Sequence, residues 1–418
     1  MNRPVKSSGI AEPASRIVFW IAAYAGLAYV FLKAYELAAT DAAIPSRIID
    51  FLAYWAAAKL ALGGEALAAF DPAALAAAAG VSQDQANNLL WLYPPAFMML
   101  IAPLGALPFW VAWTVFVLVS AACLGLAVRG PASVLPGGWR LIVVSPVVLV
   151  ASLAIGQNSV LLTAALVAAL WTMRPDPDST GAMNRNQNRL TGSSAMAAGL
   201  WIALLTLKPQ LCILVPLALA AGRRWRVLAW ATGWAAAILL ISTAAFGIGY
   251  WEQFLHGLDE ATRRVEQSRM PIQRLSSIYG FARAIDAGHS VSLGLQMAVS
   301  AAMIATTVWI WSRKQVSHDL KCAALCAAIP LTTPYAFYYE MVLTVAATLF
   351  LVRDGFGQGI MEKLWLLVVW LGPVPAIYLP SGPSVAASTL PIMVVTAAIC
   401  LLRAWHSDQP ARSPDPLI

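Results

Sequence analysis

Long runs of apolar residues recur from Arg16 almost to Arg403, and most of them end in a short cluster of Lys or Arg. A helix needs roughly 20 mainly apolar residues to cross the hydrocarbon core. Inside lipid the backbone must satisfy its own polar groups, so a chain of this kind folds as an all-α, polytopic membrane protein. The composition agrees: 60% of the 418 residues are hydrophobic and 11% are charged, against ~45–50% and ~25% in soluble domains. A net charge of +7 raises the question of nucleic acid. Here the basic residues sit at the ends of the apolar runs, a pattern that reports membrane orientation instead.

Twelve spans are expected: Ile17 to Ala39, Phe109 to Val128, Arg140 to Ile155, Ser159 to Met173, Ala195 to Leu207, Gln210 to Ala221, Val227 to Phe246, Val291 to Trp311, Leu320 to Thr333, Ala336 to Val352, Leu364 to Tyr378 and Val385 to Leu402. The first, at about 23 residues, is longer than the ~7–15 of a signal-peptide core. The chain then divides into a cytoplasmic N-terminal segment (1–16), a single transmembrane domain (17–403) and a cytoplasmic tail (404–418). Arg129 with Arg140, Arg174 with Arg185 and Arg189, Arg223 to Arg226, Arg313 with Lys314, Arg353 with Lys363, and Arg403 mark every second connection. By the positive-inside rule these connections and both termini are cytoplasmic, in a plasma (inner) membrane.

On the other side lie two long segments, 40–108 and 247–290. In the first, Tyr54 to Leu62 and Pro72 to Ala79 are helix-prone, and Lys59 and Glu65 suggest a surface-lying amphipathic helix. Tyr93 to Pro108 reads as a short helix along or within the outer leaflet, since a spanning reading would turn Arg223 and Arg224 outward. The second segment alternates Glu252, Asp259, Glu260, Arg263, Arg264 and Glu266 with Trp251, Phe254, Leu258 and Val265, as an amphipathic helix does. Pro175 to Ser194, rich in Asn, Gln, Ser and Gly, reads as a disordered loop.

The unusual polar residues gather on the extracytoplasmic face. Lys208 stands between Leu204 to Leu207 and Leu211 to Leu217, where a lysine is costly and either serves a function with a partner or snorkels to the headgroups. Pro209 interrupts the helix there, so backbone N–H groups near Gln210 are free to join the ammonium around an anion. Asp50, in an apolar setting, is a candidate general base or a helix N-cap. Asp41 carries the same alternatives. Gln157 and Asn158 are either amides for sugar hydroxyls or caps of the next helix. Glu340 lies beside Tyr335, Tyr338 and Tyr339, aromatics that also suit an interfacial belt. His256 and His289 read as surface residues. The five cysteines, Cys123, Cys212, Cys322, Cys326 and Cys400, lie in apolar runs; no disulfide, metal site or cofactor is expected.

At these residues the sequence resembles glycosyltransferase family 87, the polyprenol-phosphate-mannose-dependent mannosyltransferases of the GT-C fold. The matching pieces are Asp50-Phe51-x-x-Tyr54-Trp55-Ala56-Ala57-Ala58-Lys59-Leu60, Phe70-Asp71-Pro72, Tyr93-Pro94-Pro95-Ala96-Phe97, Ala102-Pro103-Leu104, Gly156-Gln157-Asn158, Lys208-Pro209-Gln210 and Gly222-Arg223-Arg224-Trp225-Arg226. The resemblance implies a polyprenyl-phosphate-linked sugar donor, a lipid or glycan acceptor, and transfer at the outer face with Asp50 as base. Lys208 and Gln210 would hold the donor phosphate. Tyr54, Lys59, Tyr93, Gln157, Asn158, Tyr339 and Glu340 would meet the sugar or acceptor. Near Tyr338-Tyr339-Glu340 relatives often carry Asp or His, so the pattern departs there. A transporter or flippase of lipid-linked sugars is the alternative. Transporters place binding groups near the midplane and show internal repeats; this chain shows no repeat, and its polar residues line one face.

Overall fold

The computed structural model describes residues 49–82, 89–135, 146–174, 191–266, 275–374 and 384–409. The expected first span, with Asp41, lies outside these residues. Among the described residues the regular elements are helical, joined by one isolated antiparallel bridge between Leu275 and Phe337. Four helices are long and apolar enough to cross a membrane: Phe109–Arg129, Trp225–Phe246, His289–Ser312 and Val385–Asp408. Shorter helices stand at the other expected positions. They are Val147–Ala154, Ser159–Thr172, Gly192–Ala203, Leu214–Ala221, His318–Ala328, Met341–Arg353 and Ile360–Leu371.

Two boundaries move for identifiable reasons. Thr191 caps the helix Gly192–Ala203 through its hydroxyl, which accepts from Ser194 N at 3.2 Å. This helix therefore starts within the stretch expected to be a disordered loop, as an N-cap threonine permits, and the rest of that stretch, 175–190, lies outside the described residues. The span expected from Ala336 starts as helix only at Met341. Ala336 and Phe337 are extended instead, and Ser276 N donates to Ala336 O at 2.7 Å.

The helix Ile49–Leu62 corrects a larger expectation. It is not surface-lying: Phe51, Leu52, Ala53, Tyr54, Ala56, Ala57 and Ala58 are all buried. Its charged residues stand at its two ends, Asp50 in the first turn and Lys59 in the last, and Glu65 lies beyond its end, so they give the helix no continuous polar face. It packs on the short helices Pro95–Ile101 and Ala102–Ala106. Gly105 allows this approach, because a Cβ there would lie 2.5 Å from the Ala58 carbonyl carbon. The helix Gly249–Glu266 is amphipathic as expected, burying Tyr250, Phe254 and Val265. Its charges pair along the exposed side, Arg263 with Asp259 and Arg264 with Glu260.

Polar residues form two layers at opposite ends of shared helices. Ser159 and Glu340 stand at the start of Ser159–Thr172 and Met341–Arg353, and Arg174 and Arg353 stand at the far ends. At that far end Arg353 Nε reaches Asp319 at 3.3 Å, Arg174 reaches it at 3.6 Å, and Arg403 reaches Asp354 at 3.0 Å. Helices of 14 and 13 residues separate the layers by roughly 20 Å at 1.5 Å per residue.

Candidate active site

The layer opposite the arginines is built first by a turn. The helix Val147–Ala154 ends in a Schellman arrangement: Gly156 has φ +70°, Gly156 N donates to Leu153 O, and Gln157 N donates to Ser152 O, each at 2.9 Å. The left-handed residue at this position favours glycine. The turn brings Gln157 and Asn158 inside, where they are 1% and 0% exposed. Asn158 occupies the N-cap position of Ser159–Thr172, yet its side chain makes no capping bond. Capping therefore does not account for this amide.

Tyr54 reaches Gln157 from the neighbouring helix. Its hydroxyl donates to Gln157 Oε1 at 3.2 Å and lies 2.7 Å from the Tyr93 hydroxyl. The Tyr54 ring also packs edge-on against Tyr93 and Phe97, with centroids 5.2 and 4.9 Å away. Burial first, then Tyr93 and Asp50 nearby, raises the Tyr54 pKa well above its usual value. Burial does the same for Tyr93. Both hydroxyls thus remain protonated donors at neutral pH.

Asp50 sits in the first turn of Ile49–Leu62, half-buried, inside the helix rather than at its N-cap. It lies within electrostatic reach of Tyr54, Tyr93 and Tyr339. A carboxylate in a helix's first turn is also favoured by the helix dipole.

Lys208 is the cation of the cluster. The chain breaks there from a 3-10 turn, Leu204–Leu207, into another, Pro209–Leu211, and Lys208 adopts φ −142°, ψ 80°. Its ammonium is buried. It is ion-paired with Glu340, donates to Ser159 Oγ at 3.4 Å, and lies 5.0 Å from the Tyr339 ring centroid. Tyr339 is therefore near both Lys208 and Asp50. Gln210 is half-buried on the turn that follows.

Several polar atoms here have no partner among the described residues: Gln157 Nε2, Asn158 Nδ2 and Oδ1, and Glu340 Oε2. Asn158 lies beside the Tyr93 hydroxyl, yet neither of its amide atoms completes a hydrogen bond. Buried polar groups are nearly always satisfied in native proteins. Four unmatched atoms beside two carboxylates, a lysine and three tyrosines mark a place prepared for a polar ligand.

Of the residues expected from sequence, Asp50, Tyr54, Tyr93, Gln157, Asn158, Lys208, Tyr339 and Glu340 come together. Lys59 stands apart: its ammonium donates to Ala78 O at 2.7 Å and lies 4.5 Å from the Trp55 ring, tying the outer helices to each other. Sequence reasoning missed the union of Lys208 with Glu340 and the part played by Ser159. The available signal was the rule that an intramembrane lysine has a partner to be found. Among the described residues no cluster of His, Cys, Asp and Glu is arranged to hold a metal ion.

Fold and site together describe a helical membrane protein with a buried polar centre at one end of its bundle. The glycosyltransferase family 87 model matches residues 91–334. The chain belongs to that family, and it is a glycosyltransferase. No curated protein and no solved structure matches it. Tyr93, Gln157, Asn158, Ser159 and Lys208 fall within the matched stretch, whereas Asp50, Tyr54, Tyr339 and Glu340 lie outside it and join the site through the geometry above.

Proposed function

We propose that the chain transfers a sugar, mannose in the first instance, from a polyprenyl-phosphate donor to a lipid or glycan acceptor at the extracytoplasmic face of the plasma membrane. The fold is then a GT-C bundle of about 12 spans with both termini in the cytoplasm. Asp50 takes the proton of an acceptor hydroxyl as that oxygen attacks the anomeric carbon. The bond from the anomeric carbon to the phosphate oxygen breaks, and its electron pair leaves with polyprenyl phosphate. One displacement inverts the anomeric centre.

Lys208 and Gln210 meet the phosphate as charge grows on the leaving oxygen, where fixed donors lower a barrier most. The donor phosphate competes with Glu340 for the ammonium, so donor binding and the Lys208–Glu340 pair are coupled. Tyr54, Tyr93, Gln157, Asn158 and Tyr339 orient the sugars. The observation that carries this reading is the set of unmatched amide and carboxylate atoms next to Asp50 and Lys208.

The test is to incubate detergent-purified protein with a panel of polyprenyl-phosphate sugars and a mixed lipid and glycan acceptor preparation, and to measure released polyprenyl phosphate. Release is expected with one donor, and Asp50→Asn is expected to lower the rate by roughly 100-fold or more. A folded Asp50→Asn protein that works at the native rate removes Asp50 as base.

A further inference from the structure

The arginine layer at the far end of the bundle carries charge that its carboxylates do not balance. Asp319 is taken by Arg353 and Arg174, Asp354 by Arg403, and Asp408 by Arg313. Arg224 and Lys321 have no carboxylate partner among the described residues, although both are half-buried.

A turn and a tryptophan bring these two cations together. After the helix Leu214–Ala221 the chain closes with Arg223 N donating to Ala220 O at 3.0 Å and Arg224 N to Leu219 O at 2.8 Å. Arg223 takes the left-handed conformation, φ +54°, that a helix end usually gives to glycine. The turn leaves Arg223 exposed and carries Arg224 half inside. Gly222 lies so close to the buried Trp311 that a Cβ there would come within 3.0 Å of the ring. Trp311 Nε1 in turn donates to Lys321 O at 3.0 Å. One indole therefore supports both the Arg224 turn and the first turn of His318–Ala328.

Like charges converge as a result. Lys321 and His318 both lie within electrostatic reach of Arg224, and His318 within reach of Arg174 as well. His318 donates Nε2–H to Leu170 O at 2.9 Å and supplies no counter-charge. Arg224 also heads the helix Trp225–Phe246, whose dipole adds positive potential there. Burial lowers the Arg224 pKa from its usual value. Two partly desolvated cations near each other repel unless an anion from outside joins them.

The surroundings say which anion fits. Trp225–Phe246 begins beside the cluster and His289–Ser312 ends beside it, and both are long enough to cross a membrane. The cluster thus stands at headgroup level, next to the exposed indole of Trp225. Basic pockets between helix ends suit anionic lipid head groups, and a phosphodiester can accept from a guanidinium and an ammonium together. We infer that Arg224 and Lys321 form a site for a phosphate group, carried by an anionic phospholipid of the leaflet at the arginine end. Such a site depends neither on the transferase reading nor on which compartment that end faces.

The experiment titrates the full chain in neutral-detergent micelles with phosphatidylglycerol, phosphatidylcholine or inorganic phosphate. Bound lipid is read by native mass spectrometry, and all three additions by the thermal unfolding midpoint. Phosphatidylglycerol is expected to bind and raise the midpoint, and phosphatidylcholine to do neither. Arg224→Gln and Lys321→Gln should each weaken phosphatidylglycerol binding roughly 5-fold, whereas Lys314→Gln, at an exposed cation of the same end, should leave it unchanged. Without added lipid, Arg224→Gln is expected to keep or raise the midpoint, because it removes a repulsion. Equal loss in Lys314→Gln, or undiminished binding in the Arg224→Gln, Lys321→Gln double variant, overturns the site; should the double variant not fold, the single variants decide. A midpoint raised as far by inorganic phosphate as by phosphatidylglycerol overturns the lipid as the carrier of that phosphate.

Discussion

Lys208 was legible in the sequence because a lysine among leucines is conspicuous. Its pairing with Glu340 was not, since the two lie 132 residues apart and nothing local in either segment names the other as partner. Only the packing of the two 3-10 breaks, at Lys208 and at Tyr338–Glu340, makes them a pair. Their burial gives a non-additive expectation. Lys208→Met strands the Glu340 carboxylate, and removing one partner of a buried ion pair costs about 3–5 kcal/mol. Replacing both, Lys208→Met with Glu340→Met, leaves no uncompensated charge, so the double variant is expected to be more stable than Lys208→Met alone. Denaturation midpoints of the native protein, Lys208→Met, Glu340→Met and the double variant in mixed micelles provide the check. Additive losses would mean that the two side chains do not form a pair in the folded membrane protein.

Among the elements, apolar runs located the helices well, because bilayer thickness and backbone satisfaction act on any sequence alike. Two features escaped that logic. One is the burial of Ile49–Leu62, whose alanine-rich sequence gives no sign of which neighbour covers it. The other is the turn at Gly156, where a single residue sets the direction of both amides. A Cβ at Gly156 would meet Phe51 Cβ at 2.6 Å, in addition to the strain of φ +70°. Gly156→Ala is thus expected to destabilise the protein by about 1–3 kcal/mol and to lower transfer much more than an alanine at Gly64. That second glycine also has positive φ, +81°, but no atom within 4 Å of its missing side chain. Comparing the two variants separates backbone strain, which both carry, from displacement of Phe51, Gln157 and Asn158, which only Gly156→Ala causes. Equal activity in the two would detach the turn from the site.

On the scale of the whole molecule, the arginine layer and the candidate site occupy opposite ends of the bundle, which is the arrangement the positive-inside rule demands of the sequence. The separation of roughly 20 Å is less than the ~30 Å hydrocarbon core. Yet Trp225–Phe246 and Phe109–Arg129, with 22 and 21 residues, are long enough to cross that core in full. In the orientation proposed above, with the arginines at the cytoplasmic headgroup boundary, the site end of the shorter helices stops short of the other boundary, which would leave Lys208 and Glu340 recessed below the outer surface. A recessed site suits a donor whose phosphate sits at the membrane and whose lipid tail stays within it. Sidedness decides whether that geometry faces the right compartment. Cysteines introduced at Glu252, exposed on the amphipathic helix, and at Lys314, exposed beside the arginine layer, are expected to react with a membrane-impermeant maleimide from opposite sides. In intact cells Glu252→Cys should be labelled and Lys314→Cys only after permeabilisation. The native cysteines are buried or half-buried, so the unmodified chain sets a low background. Labelling in the reverse order would place the centre at the cytoplasmic face, where acceptor and donor as proposed do not meet, and labelling of both from one side would contradict the two ends lying across a membrane.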